Sequence, residues 1–396
     1  MGSFLFFKEG NDLLSIKEQA YQAVDAQRQE MLNLWEALVN IECGPGCKSG
    51  IDAIGFKLAA ILEQIGCQTR FVKFPKAGNT LIGELGDVTQ PFVALIGHMD
   101  TVFHDGTAAA RPFKIEDGKA YGPGVLDMKG GIVILVHALQ ALQRSGYAKH
   151  PIKIILVGDE EIGHRDSEAA EVLLQEAAGA MAAFNFETGF LDDGLVVERK
   201  GMYQFILETF GRGAHVGNDP ENGRSAIKEI AHKVLDIEAL TDFERGTTFN
   251  VGVITGGTVC NATPAYAKID CDMRFIAPDV LPEFKAKLQA IAAKTYVKDT
   301  TTKLTEIVSV KSMPRLPQSM QLFELVKKVA AAEGLPTPYA KAVGGASDSA
   351  YMTAAGVPTV CAMGVKGARN HTDEEFAVVE SLFERTKLMI AVLLAL

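Results

Sequence analysis

The stretch "KIILVGDEEIG" (residues 153–163) runs a continuous apolar segment into three adjacent carboxylates. Residues 153–157 read as a strand buried on both faces, the kind found inside parallel sheets. Asp159, Glu160 and Glu161 stand at its end, where like charges repel and burial is costly without a compensating partner. A solvated turn is one explanation. A bound cation is the other, and open α/β sheets keep their ligand sites just past the carboxyl ends of their strands.

Outward from this stretch, helical and strand patterns alternate. An amphipathic segment spans residues 12–41, and a second helix covers 51–65, stopped by Gly66. Strand-like runs follow at 68–72, 80–85 and 92–96. The segment "KGGIVILVHALQALQRSG" (129–146) is apolar nearly all round, which predicts a central buried helix. Between about 200 and 310 the rhythm changes: strands at 202–210, 247–255, 265–275 and 303–310, with helices at 227–237 and 281–296. That β-α-β-β-α-β order is the ferredoxin-like unit, and Pro314 and Pro317 mark the return to the first domain. The expected fold is α/β: a discontinuous catalytic domain (1–199 and 312–396) with a central mostly parallel sheet flanked by helices, plus an inserted ferredoxin-like lid (200–311).

With 396 residues the chain is long enough for two domains. Its 47% hydrophobic and 22% charged residues are ordinary for a soluble globular protein. A net charge of -10 argues against a nucleic-acid partner but not against a small anionic substrate, which needs only local cations. The longest apolar run contains His137 and falls short of a membrane span, so no membrane partner is expected. "MGSFLFFKEG" carries no basic leader and too short an apolar run for a signal peptide. A cytoplasmic location is expected, a periplasmic or secreted one being open to a chain whose export signal has been removed. Of the six cysteines only Cys43 and Cys47 are close, in "ECGPGCKSG", and free loop thiols are expected there rather than a redox pair.

Four further stretches hold chemistry at strand or loop ends. "ALIGHMDTV" sets His98 and Asp100 on one face of an extended chain, so that Asp100 can hold the histidine's tautomer. "GPGVLDMKGG" places Asp127 in a Gly-rich loop before the buried helix, "FNFETG" ends a strand at Glu187, and "ARNHTDEE" contains His371. Each has a bland reading alone; an Asp before a helix is usually an N-cap. Together with "DEEIG" they supply two histidines and several carboxylates, the donor set that two divalent cations require. Among the other histidines, His137 reads as a packed core residue and His104, His150 and His232 as solvent-facing. His164 lies close behind "DEEIG", and His215 sits between glycines in the lid stretch "GRGAHVG".

The stretches "GHMDTV", "KAYGPGVLDMKGG", "DEEIG", "FET", "GRGAHVG", "DMRF", "GGASDSAY" and "NHTDEE" resemble, in order and over essentially the whole chain, the di-zinc exopeptidase and amidohydrolase family. That family includes glutamate carboxypeptidase, acetylornithine deacetylase, succinyl-diaminopimelate desuccinylase and aminoacylase. The likeness is closest to the glutamate carboxypeptidase branch, through "KAYGPG", Glu187 and "GGASDSAY". It implies two Zn2+ per subunit, with Co2+ or Mn2+ as substitutes: one on His98 and Glu187, the other on Glu161 and His371, with Asp127 bridging. It further implies Asp100 supporting His98, Glu160 as general base, and His215 reaching across a homodimer formed by the lid. Arg274 and Asn261, with Gly345 and Ser347 of the "GGASDSAY" loop, would bind the substrate.

The implied activity is hydrolysis of an amide next to a free carboxylate, releasing a C-terminal acidic amino acid. An N-acyl-amino-acid deacylase or dipeptidase is the near alternative. A non-catalytic metal- or peptide-binding protein is the remote one, and Glu160 speaks against it. Two departures stand out. Met128 occupies a position where the carboxypeptidase pattern has Asp, and His164-Arg165-Asp166 replaces the Ser and Gly that relatives usually carry.

Overall fold

A computed structural model of the chain describes residues 15–396. The expected helix start at 12–14 and the N-terminal stretch read for targeting lie outside the described residues. Ser15 opens the first helix with a reciprocal cap: its hydroxyl accepts the Glu18 N–H while the Glu18 carboxylate accepts the Ser15 N–H. The expected single segment to residue 41 is two helices, Ile16–Ala26 and Arg28–Val39, broken at Gln27. Amphipathic periodicity survives such a break, so pattern alone does not reveal it.

The central sheet has six strands, in spatial order Gln68–Val72, Gly78–Leu85, Ile152–Gly158, Phe92–His98, Ala180–Asn185 and Thr359–Val360. The first two junctions are antiparallel and the last three parallel. Every residue of Phe92–His98 and Ile152–Gly158 is buried, as continuous apolar runs inside a doubly covered sheet must be. His98 pairs with Val157 and Ile96 with Asn185, so these strands deliver His98, the acidic turn and Glu187 to one sheet edge.

The central helix is Gly130–Arg144, buried from Gly130 through Leu142. Together with the turn before it, the stretch Val125–Arg144 is long and apolar enough to cross a bilayer, but all of its apolar window is buried inside the protein. A Cβ on Gly131 would lie 1.9 Å from the Phe186 carbonyl oxygen. Only glycine lets the helix begin this close to the segment carrying Glu187.

The inserted lid follows the expected order: Gly201–Phe210, Ala226–Glu238, Thr248–Gly256, Tyr266–Phe275, Val280–Ala293 and Thr301–Val310. Its sheet is antiparallel throughout, ordered Thr248–Gly256, Tyr266–Phe275, Gly201–Phe210, Thr301–Val310. Alternate residues Tyr203, Phe205 and Leu207 point to a separate core shared with the two helices.

A second sheet, of five strands two or three residues long, was not legible in the pattern. It joins Lys114–Glu116, Lys119–Tyr121, Phe376–Val378, Lys366–Ala368 and Gly189–Phe190. Its hairpin between Lys366–Ala368 and Phe376–Val378 carries His371 to the edge where His98 and Glu187 already stand.

Candidate active site

The five separate stretches converge on one carboxylate. Asp127 Oδ1 lies 3.2 Å from His98 Nε2, and its Oδ2 lies 3.2 Å from His371 Nε2. Each histidine meets a second carboxylate: His98 Nε2 is 3.7 Å from Glu187 Oε1, and His371 Nε2 is 3.3 Å from Glu161 Oε2. Two sets of ligand atoms, one from His98, Asp127 and Glu161 and one from His98, Glu160 and Glu187, each lie within 4.8 Å of one another. Oxygen and imidazole nitrogen in this number suit divalent cations. Glu161 Oε1, buried without a hydrogen-bond partner, is a spare donor atom in the same cluster.

The charges show why such a cluster is costly by itself. Burial, with the Asp127 charge adding to it, pushes the Glu161 carboxyl up to about 8. Glu160 and Glu187 are raised too, again by burial first, against which His98 pulls down. Burial would raise Asp127 as well, but its hydrogen bonds to His371 and His98 hold it below the usual range. Hydrogen bonds to Asp127 and Glu161 push His371, which is about half exposed, up to about 11. Protons on carboxylates and histidines here do what cations would do better.

Asp100 stands beside His98, as expected of a supporting residue, and also holds the acidic turn. His98 Nδ1 is closer to the Asp100 backbone carbonyl (3.1 Å) than to its carboxylate (3.5 Å). The carboxylate also accepts the backbone N–H groups of Glu160 (3.2 Å) and Glu161 (3.0 Å), tying the strand Phe92–His98 to the acidic turn. Met128 packs beneath: its Sδ accepts the His98 N–H at 3.2 Å, and a Cβ on Gly97 would stand 2.3 Å from its Cε. The Asp127–Met128 peptide bond is cis.

A cavity of about 300 Å³ opens beside the cluster, lined by Glu160, Glu161, His164, Arg274, Gly345, Asp348 and His371 among others. Arg274 thus reaches the site from the lid, its guanidinium held by Asp272 at 2.7 and 3.1 Å. Gly345 lines the cavity, whereas Ser347 is fully buried, its Oγ 3.8 Å from Cys361 Sγ. Ser347, expected to contact substrate, does not line this cavity; its hydroxyl faces the interior. His215 and Asn261 neighbour each other in an exposed part of the lid and do not line this cavity.

Several participants were missed. Buried Glu375 accepts the N–H groups of Gly124, Leu126 and Asp127. Buried Lys129 donates to the carbonyls of Val39, Ile41 and Pro123, and buried Arg199 to those of Gly345 and Ala346. Asn370 donates to Asp127 Oδ2 at 3.0 Å. Neighbourhood in "NHTDEE" hinted at Asn370 and Glu375; nothing local marked Arg199. Cys43 and Cys47 are free thiols, as expected.

Comparison with known proteins agrees with this geometry. Residues 94–395 match the profile of peptidase family M20/M25/M40. The chain is 28% identical over 378 residues to carboxypeptidase G2 of Pseudomonas sp. (strain RS-16), covering 94% of this chain and 90% of that protein. It is 27% identical over 251 residues to succinyl-diaminopimelate desuccinylase of Dechloromonas aromatica, covering 59% of this chain and 65% of that one. The crystal structure of aminopeptidase PepT from Bacillus cereus superposes with a TM-score of 0.76 at 22% identity, over 92% of this chain and 97% of that one. That last likeness concerns the fold.

Proposed function

Because the chain belongs to peptidase family M20/M25/M40 and is a metal-dependent hydrolase of that family, we propose that it is a di-zinc carboxypeptidase of the glutamate type. It would cleave an amide next to a free carboxylate, with Glu160 as general base. The observation that carries the reading is Asp127, whose two oxygens are divided between two histidines that each hold a further carboxylate. The residues fit a cation pair: His98 and Glu187 for one Zn2+, Glu161 and His371 for the other, Asp127 between them. Co2+ or Mn2+ suits the same donors.

Two cations bound there would supply a water whose pKa is lowered to roughly 7 and would polarise the scissile carbonyl. Glu160, at the cavity wall and outside the proposed ligand set, would serve as general base, accepting the proton of the attacking water and passing it to the leaving amine. Asp100 holds the Glu160 and Glu161 backbone, so base and ligand keep a fixed relation. Arg274 offers a planar two-pronged match to the substrate's carboxylate, in exchange for its present partner Asp272.

The lid supports a homodimer. Thr248–Gly256 is an edge strand exposing Val253 (51%) and Ile254 (57%), and the helix packed on it exposes Leu235 (69%). Unpaired edges and clustered exposed apolar side chains mark association surfaces. Across such an interface His215 and Asn261 would serve the neighbouring subunit's site.

The test is metal analysis of purified protein followed by a panel of N-acyl-glutamates, N-acetyl-ornithine and small dipeptides. Two metals per chain, loss of activity on chelation and cleavage of acyl-glutamates are expected. Cleavage of the other substrates without acyl-glutamates would transfer the chain to the deacylase or dipeptidase reading.

A further inference from the structure

The Glu160 carboxylate makes no hydrogen bond among the described residues, so its aim depends on how its backbone is held. One hold is Asp100. The other begins at Gly163, whose N–H donates to the Glu160 carbonyl at 2.7 Å. Gly163 and His164 both adopt left-handed backbone (φ 66° and 58°), which folds the chain back beneath the turn. The His164 ring is buried there, with Nδ1 2.9 Å from Asp159 Oδ1 and Nε2 2.7 Å from Asp348 Oδ1.

A neutral imidazole has one N–H and one bare nitrogen, so it cannot donate to two carboxylates at once. Facing two short contacts, the ring satisfies both as a doubly protonated imidazolium. Burial opposes that charge, and Asp348 and Asp159 outweigh the opposition. The ring of Tyr351 closes one side, edge-on at 5.6 Å, and Ser167 Oγ donates to Asp159 Oδ1 at 3.0 Å.

This clamp joins parts distant in sequence. Asp159 opens the turn that carries Glu160, while Asp348 follows the loop in which Gly345 lines the cavity. The turn also abuts the lid, since a Cβ on Gly163 would lie 2.4 Å from Val308 Cγ2. Without His164, two buried carboxylates would face each other across the vacated space, and the turn would relax away from the Gly345 loop.

We propose that His164 is a positioning residue for the hydrolysis: clamped between Asp159 and Asp348, it fixes the Glu160 turn against the substrate-facing loop and so sets the aim of the base. The inference rests on the reading of Glu160 as base.

The test uses metal-loaded enzyme. Glutamine can serve one carboxylate but not both, so His164→Gln should lower kcat by about 10–100-fold, with KM and metal stoichiometry unchanged. Added imidazole should restore part of kcat to His164→Ala. On a Glu160→Ala background the His164 substitution should not change the residual rate, because it acts through the missing base. Should both His164 variants misfold, Asp348→Asn keeps the shape and weakens the same clamp, and a loss in kcat alone is again expected. A His164→Gln enzyme of lowered Tm but full kcat, beside an inactive Glu160→Ala, would overturn this inference and leave the base standing. A fully active Glu160→Ala would remove the base and the inference together.

Discussion

Glu375 accepts the backbone N–H of Asp127 at 3.0 Å, from 248 residues further along the chain. The same carboxylate takes the N–H groups of Leu126 (2.8 Å) and Gly124 (3.1 Å), and it is wholly buried. Burial and the Asp127 charge lift its pKa to about 7, while the three N–H groups pull it down. It organises the Gly-rich loop that presents Asp127 to both histidines. Glu375→Ala strands three donors and loosens that loop. Metal affinity, read by titrating metal-free protein, should fall about 10–100-fold. An unchanged affinity would show that the loop holds itself.

A pH effect independent of the site comes from His137, midway along the central helix. Burial holds its pKa down at about 4, with Arg144 adding to the effect, and its Nδ1 has no hydrogen-bond partner. A histidine depressed on folding contributes stability that is complete above the unfolded value of about 6.5 and is lost as pH falls through the folded value. His137→Gln should therefore flatten the acid limb of stability between pH 6.5 and 4. The stability difference between wild type and variant should shift by roughly 3 kcal/mol across that range in denaturant titrations. Parallel acid limbs would assign the acid loss to other groups.

Subunit sharing makes a distinct prediction, since exposed His215 does not line the cavity of its own chain. His215→Ala and Glu160→Ala homodimers should each be nearly inactive. Mixed and allowed to exchange, they should regain up to about a quarter of wild-type specific activity, as random pairing leaves half the dimers mixed with one intact site each. No recovery after demonstrated exchange would confine each site to one chain.

The readable parts of this molecule were those in which chemistry follows local pattern. Continuous apolar runs marked the inner strands, and the lid's alternating segments marked its topology. Polar residues set immediately past those strands marked His98, Asp127, Glu161, Glu187 and His371. What escaped notice depends on contacts across the chain. Strands of two or three residues, such as Gly189–Phe190, have no period to detect. Arg199 looks like any strand-end arginine until its guanidinium meets the carbonyls of Gly345 and Ala346. Ser347 sits in a loop whose composition does not say which side chains face inward, and its own is fully buried. Asp100 read as a partner for a histidine ring, and nothing in the sequence showed that its carboxylate would also accept two N–H groups of the acidic turn.

The central claim is a division of labour inside "DEEIG", in which Glu161 holds metal and Glu160 moves the proton. The most direct measurement is the turnover of metal-loaded Glu160→Ala on an N-acyl-glutamate, with metal content determined on the same sample. The account predicts a full complement of metal and a kcat lowered by about 10²–10⁴-fold, the usual contribution of a positioned acid–base group. Wild-type turnover with full metal would contradict it.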